Sequence, residues 1–241
     1  EYVHLVGPSR LAERVGRTTY QIPLNAFFQT NYEQAAALQR TARQLAGLTG
    51  RETLVDLHSG VGFFAVNLAP QVKQVIGVER NREAVAAARQ NAKLNGARNT
   101  TFHEAAAADG LGKFKRGEID VLIMDPPRAG LEDGVLDKIA DLCPSRVVYF
   151  SCAPDLLARD IGILKKKGYR FVDCVPIDMF PHTHHVEVAA KLIFGEERKQ
   201  PGAPIDKVPF GRKRRSTEPH PFRSDTQARR KAARQKDSPQ R

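Results

Sequence analysis

Cys152 closes the apolar run Val147-Val148-Tyr149-Phe150-Ser151 and is followed by Ala153-Pro154. A thiol just past such a β-run, with a proline opening a helix after it, lies where a helix N-terminus favours the thiolate, the attacking form of cysteine. Downstream, Asp178-Met179-Phe180-Pro181-His182-Thr183-His184-His185-Val186-Glu187 brings a carboxylate, Glu187. Upstream, Asp125-Pro126-Pro127-Arg128 follows another apolar run, and paired prolines stiffen the loop that aims Asp125. A thiol beside acids suits covalent catalysis with proton transfer. Taken singly, each has a plainer reading: a free cysteine is most often a small buried side chain, and a lone strand glutamate a solvated acid. Cys143 and Cys174 are read in that plain way. His182, His184 and His185 suggest zinc, but no Cys or acid with metal-ligand spacing accompanies them, so no metal is expected.

A second constellation is Val55-Asp56-Leu57-His58-Ser59-Gly60-Val61-Gly62-Phe63-Phe64, in which Gly60 and Gly62 sit where a strand turns into a helix. Glycine lets that turn bend sharply and approach a ligand at the helix N-terminus. Glu79 ends the next strand roughly 20 residues on, where an acid in a Rossmann-type fold accepts hydrogen bonds from ribose hydroxyls. A dinucleotide would satisfy both features, but the third glycine of GxGxxG is missing, since Ala65 follows Phe63-Phe64.

These residues need a frame. Apolar runs bounded by turn residues predict strands at 53–57, 74–78, 100–103, 119–124, 146–150, 169–176 and 185–194. Helical patterns at 62–69, 82–95, 132–141 and 154–167 alternate with them, and 32–48 reads as a further helix capped by Thr30 or Asn31. The alternation predicts an α/β fold with a mostly parallel, seven-stranded sheet. No helix separates the last two strands, so they should pair antiparallel at the sheet edge, with Glu187 at the start of the edge strand. A β-rich lead-in is expected over 2–22. The corresponding division is 1–30 as the remnant of a preceding domain, 31–195 as the catalytic domain and 196–241 as a basic tail.

The segments around Cys152, Asp125 and Glu187 together resemble the RNA (uracil-C5)-methyltransferases, which use S-adenosyl-L-methionine (SAM) on a Rossmann-like methyltransferase fold. Phe27-Phe28-Gln29-Thr30-Asn31 is similar to the Phe-x-Gln-x-Asn of that family. The resemblance implies that the Cys152 thiolate adds to C6 of a uracil, making C5 nucleophilic toward the SAM methyl, and that Glu187 removes the C5 proton before the thiol is released. It also implies that Glu79 holds the SAM ribose, that Asp125 contacts SAM, and that Gln29 touches cofactor and base. His58, Gly60, Gly62 and Phe63 would line the cofactor loop, and Arg128 and Phe180 the substrate side. Relatives carry Cys-Gly-x-Gly where this chain has Ser59-Gly60-Val61-Gly62, and Asn or Asp where it has Ala153. The expected substrate is 23S rRNA, with the tRNA uridine-54 reaction as the alternative. A non-catalytic RNA-binding protein on the same fold is the alternative of another class.

Composition agrees with an RNA partner. The 241 residues carry a net charge of +11, and 196–241 alone holds 14 Lys and Arg against 6 Asp and Glu. That tail includes Arg212-Lys213-Arg214-Arg215, lacks any apolar period and reads as disordered, an RNA-gripping arm or, more plainly, a solubilising terminus. Three scattered cysteines form neither a disulfide framework nor a CxxC metal site, so a reduced, cytoplasmic setting is expected, with a monomer as the working state. No apolar stretch approaches the roughly 20 residues that span a bilayer, so no membrane partner is expected. Glu1 to Arg10 reads like the middle of a longer protein. An iron–sulfur cluster is expected only if cysteines lie in a preceding region.

Overall fold

The computed structural model describes residues 6–195; the basic tail and residues 1–5 lie outside them. The chain opens with a hairpin, β1 (Arg10–Val15) and β2 (Thr18–Pro23), paired antiparallel from Arg10 opposite Pro23 to Val15 opposite Thr18. Along β2, Thr18, Tyr20 and Ile22 turn inward and are buried. Two asparagines, one within a later helix and one capping its C-terminus, act on this strand as a neighbouring strand would. Asn91 accepts from the Gln21 N–H at 2.7 Å and donates to its carbonyl at 3.2 Å. Asn95 does the same with Thr19, at 2.9 and 2.7 Å.

Helix α1 (Tyr32–Ala46) is capped by Asn31, whose Oδ1 accepts from the Gln34 N–H at 3.2 Å, and stops at Gly47 in the left-handed region. Strands and helices then alternate: β3 (Thr53–Leu57), α2 (Phe63–Leu68), β4 (Gln74–Glu79), α3 (Arg82–Leu94), β5 (Thr100–Glu104) and α4 (Ala107–Leu111). They continue as β6 (Val121–Met124), α5 (Val135–Leu142), β7 (Arg146–Ser151) and α6 (Pro154–Lys166), and end with β8 (Tyr169–Ile177) and β9 (Glu187–Phe194). Asn81 starts α3 by accepting from the N–H groups of Glu83 and Ala84. The sequence pattern predicts α5 from Glu132; it starts at Val135 because Gly134 sits at φ 77°, outside helical geometry.

The seven-stranded sheet has the order β5-β4-β3-β6-β7-β9-β8, parallel from β5 to β7, with β9 antiparallel to both of its neighbours. The expected α/β architecture is present, with one correction. Strand β9 is not the edge: it is inserted between β7 and β8. Burial explains the order, because Ala189, Ala190 and Leu192 of β9 are fully enclosed, whereas most of β8 faces outward. Side chains alternate between two cores. On one face Leu54, Val121, Ile123, Val148 and Phe150 meet the hairpin and helices α1 to α3. On the other, Val55, Leu57, Leu122, Met124, Val147 and Tyr149 meet α4 to α6.

Candidate active site

Strands β3, β4, β6 and β7 are parallel, so their carboxyl ends open on one crevice, where ligands of such sheets bind. Strand β9 runs the other way and delivers its amino end to the same place. Its last ladder pair with β7 is Val188 opposite Ser151. The next residue on each strand is therefore Glu187 beside Cys152, and register alone brings the acid to the thiol.

Cys152 is half-buried, one residue before the Ala153 cap of α6. Ala153 has no capping side chain; the Ser151 hydroxyl accepts from its N–H at 3.1 Å instead. The sequence leads to a thiol favoured as thiolate by the helix N-terminus. The structure gives the opposite direction. Burial pushes the Cys152 thiol up, Glu187 and Asp125 push it further, and its own backbone N–H and Arg128 pull it back only in part. A helix N-terminus carries roughly half an elementary charge, which does not outweigh desolvation plus two acids.

Those acids are themselves perturbed. Glu187 is buried, its Oε1 has no partner among the described residues, and burial followed by the charge of Asp125 raises it to about 8. Burial raises Asp125 to about 7; its Oδ2 accepts from Gln29 Nε2 at 3.3 Å, which ties the loop before α1 to the end of β6. A third acid, Asp56, received no role from the sequence. It is fully buried, its Oδ2 accepts from the Ala65 N–H at 2.8 Å, its Oδ1 has no partner among the described residues, and burial raises it to about 8. An acid between Val55 and Leu57, in a strand covered on both faces, was the available signal.

The glycine loop completes the floor. Gly60 and Gly62 sit at φ 53° and 84°, and a Cβ on Gly62 would lie 2.9 Å from Val66 Cγ2. Glu79 pins this loop and the next, accepting from Gly60 N–H at 2.9 Å and Asn81 N–H at 2.7 Å. Each of its oxygens keeps a further lone pair for a hydroxyl. His58 takes φ 63°, and burial lowers its pKa, which leaves a neutral ring whose Nδ1 has no partner among the described residues. The Phe63 ring lies in the core against Tyr20, Phe28 and Phe64, and its carbonyl accepts from the Tyr20 hydroxyl at 2.8 Å.

Arg128 is exposed and lies close enough to act electrostatically on both Cys152 and His185. The loop leading to Glu187 carries a partly exposed Phe180, edge-on to His185 at 6.1 Å, and His184 stands 4.1 Å from His185. Asn31 steadies this loop by donating to the Met179 carbonyl at 3.1 Å. Five buried side-chain atoms lack partners among the described residues: Asn25 Oδ1, Asp56 Oδ1, His58 Nδ1, Ser59 Oγ and Glu187 Oε1. Four of these residues belong to the carboxyl end of β3 or the amino end of β9. The fifth, Asn25, is held there by its carbonyl, which accepts from Asn81 Nδ2 at 3.1 Å. Raised acids, orphaned polar atoms and a strand-end carboxylate with lone pairs to spare fit a polar ligand with a positive centre.

Residues 9–193 match the family model described as tRNA (Uracil-5-)-methyltransferase. An uncharacterized RNA methyltransferase of Porphyromonas gingivalis is 43% identical over 195 residues, 79% of this chain and 42% of that protein. One from Thermotoga maritima is 39% identical over 195 residues, 81% of this chain and 44% of that one. The crystal structure of the Pyrococcus abyssi tRNA (uracil-54, C5)-methyltransferase in complex with S-adenosyl-L-homocysteine is similar with a TM-score of 0.68 and 37% identity, covering 78% of this chain and 45% of that one. The chain thus spans less than half the length of these relatives. The matched span runs from β1 through nearly all of β9 and takes in Gln29, Asp125, Cys152 and Glu187, and the chain belongs to the tRNA (Uracil-5-)-methyltransferase family.

Proposed function

We propose that this protein methylates C5 of a uridine in RNA, with SAM as methyl donor. The observation that carries the reading is the β7–β9 register, which sets Glu187 beside Cys152. Uracil C5 is a weak nucleophile, and the chain's own groups change that. The Cys152 thiolate forms a bond from Sγ to C6, and the C5–C6 π electrons move onto the C4 carbonyl as an enolate, which makes C5 nucleophilic. SAM, when bound, supplies an electrophilic methyl on a sulfonium whose positive charge also suits the acids of the crevice. Glu187, as carboxylate, then takes the C5 proton; the C–H electron pair restores the C5–C6 double bond, the C6–S bond breaks and the thiolate leaves.

SAM is proposed to be held by Glu79 at the ribose hydroxyls, by the Gly60–Gly62 loop with His58 and the Phe63 backbone, and by Asp125 and Gln29. Arg128 and Phe180 are proposed to face the RNA. For substrate, 23S rRNA is proposed first, on the basic excess of the chain. A tRNA uridine is the second reading, favoured by the likeness to the Pyrococcus abyssi enzyme.

The test is incubation with SAM and rRNA or tRNA transcribed with 5-fluorouridine, whose C5 carries no removable proton. Wild-type protein is expected to form a denaturation-stable adduct on one RNA class, and Cys152→Ala none. Lack of an adduct on both RNAs would favour a non-catalytic RNA-binding protein. An adduct that persists in Cys152→Ala would move the nucleophile elsewhere.

A further inference from the structure

At the far edge of the sheet from β8, the end of α3 and the outer side of β5 enclose a groove of about 750 Å³, lined among others by Arg89, Lys93, Gly96, Arg98, Thr101 and His103. No acid is among its lining residues. Arg89 already donates to the Phe102 carbonyl at 2.7 Å, so its guanidinium is fixed over the open edge of β5. Lys93 and Arg98 are exposed on either side of Gly96, where even a Cβ would meet nothing within 4 Å. His103 has its pKa lowered, by burial first and then by Lys113 and Arg89, which marks the surroundings as positive. The C-terminus of α3 contributes about half a negative charge, against three full cations.

We propose that this groove binds the phosphate backbone of the substrate RNA at a point remote from the reacting uridine. The inference rests on RNA being the substrate. Strands β5 and β7 are four positions apart, or about 19 Å at the spacing of neighbouring strands. That is too far for the groove to hold the target nucleotide itself, and a cationic edge with hydroxyl and amide donors matches phosphate oxygens, which position a nucleic acid without reading its sequence. The groove therefore contributes affinity and leaves the chemical step alone.

The test compares the full chain with a Lys93→Gln/Arg98→Gln variant and with a control, Lys165→Gln/Lys166→Gln, which removes two exposed cations from α6. Binding of a fluorescein-labelled uridine-rich RNA stem-loop is followed by anisotropy across a salt series. The groove variant is expected to bind about tenfold more weakly at 0.1 M salt, with a log–log salt slope shallower by about 1.5 to 2. The control pair is expected to match wild type. Adduct yield with saturating 5-fluorouridine RNA should be unchanged in the groove variant. Wild-type affinity and slope in that variant, or an equal loss in the control, overturns the proposal. If poly-glutamate displaces RNA no better from wild type than from the groove variant, an acidic peptide is excluded as occupant; preferential displacement from wild type with unchanged RNA affinity in the variant overturns the proposal in favour of one. Absence of any adduct with wild type would instead strike the methyltransferase reading and leaves the groove comparison to be read from affinity.

Discussion

Around neutral pH the crevice holds carboxyls that burial keeps from ionising at their usual values, and Glu187, at about 8, is the one beside the thiol. In the unfolded chain it ionises near 4.5, so the stability it contributes is complete below that pH and is lost as pH rises through about 8. Glu187→Gln should therefore leave the melting temperature unchanged at pH 4 and raise it by a few degrees at pH 8.5, on a difference of roughly 1–3 kcal/mol. Thermal melts across that range check this, and a gain at pH 4 equal to that at pH 8.5 would show another cause. The same variant should still attack ordinary uridine in the presence of SAM, yet turn over at least about 100-fold more slowly and accumulate the covalent species on gels. Turnover within threefold of wild type would remove Glu187 from the proton step. Charge complementarity gives a third expectation. At pH 7, SAM should release more protons on binding than S-adenosyl-L-homocysteine, which lacks the sulfonium charge, as read by calorimetry in buffers of different ionisation enthalpy; equal release would mean the sulfonium does not sense the acids.

At the level of elements, the turn from β3 into α2 and the loop ahead of β3 together separate two costs of replacing glycine. Gly62→Ala incurs both a φ of 84° and a Cβ 2.9 Å from Val66 Cγ2, whereas Gly50→Ala incurs a φ of 91° with nothing within 4 Å. Denaturant melts should show about 1 kcal/mol lost at Gly50 and about 2–3 at Gly62, and equal losses would show that crowding near Val66 relaxes freely. Much of this framework was legible in the sequence: Thr53–Leu57 and Arg82–Leu94 declare themselves by their apolar and helical periods. Helix α4 was not, because Asp109-Gly110 looks like a turn signal. Gly110 is there for closeness, since a Cβ would stand 2.3 Å from Val78 Cγ1. The insertion of β9 also escaped the pattern, as a loop without a helix specifies antiparallel pairing but not which side of β8 the returning strand takes. The thiol's upward shift was hidden for a related reason: burial, its largest cause, and the two acids that add to it surround Cys152 only once the sheet is assembled.

On the scale of the whole molecule, charge and core occupy different parts of the chain. Both hydrophobic clusters of the described residues lie between Val15 and Phe194, while 196–241 carries 14 of the 38 Lys and Arg. Truncation after Glu196 should leave the melting temperature within about 1 °C, weaken RNA binding by about tenfold or more, and flatten its salt dependence. Adduct yield at saturating RNA should be retained, and an unchanged affinity would show that the tail does not grip RNA. The place of β9 bears, finally, on the order of synthesis. A ribosome that has made the chain through β8 has already produced Cys152, while the strand order still has a gap between β7 and β8. The strand that fills the gap begins with Glu187. The thiol thus precedes the acid in synthesis, and the two proposed partners become neighbours only once β9 lies between β7 and β8.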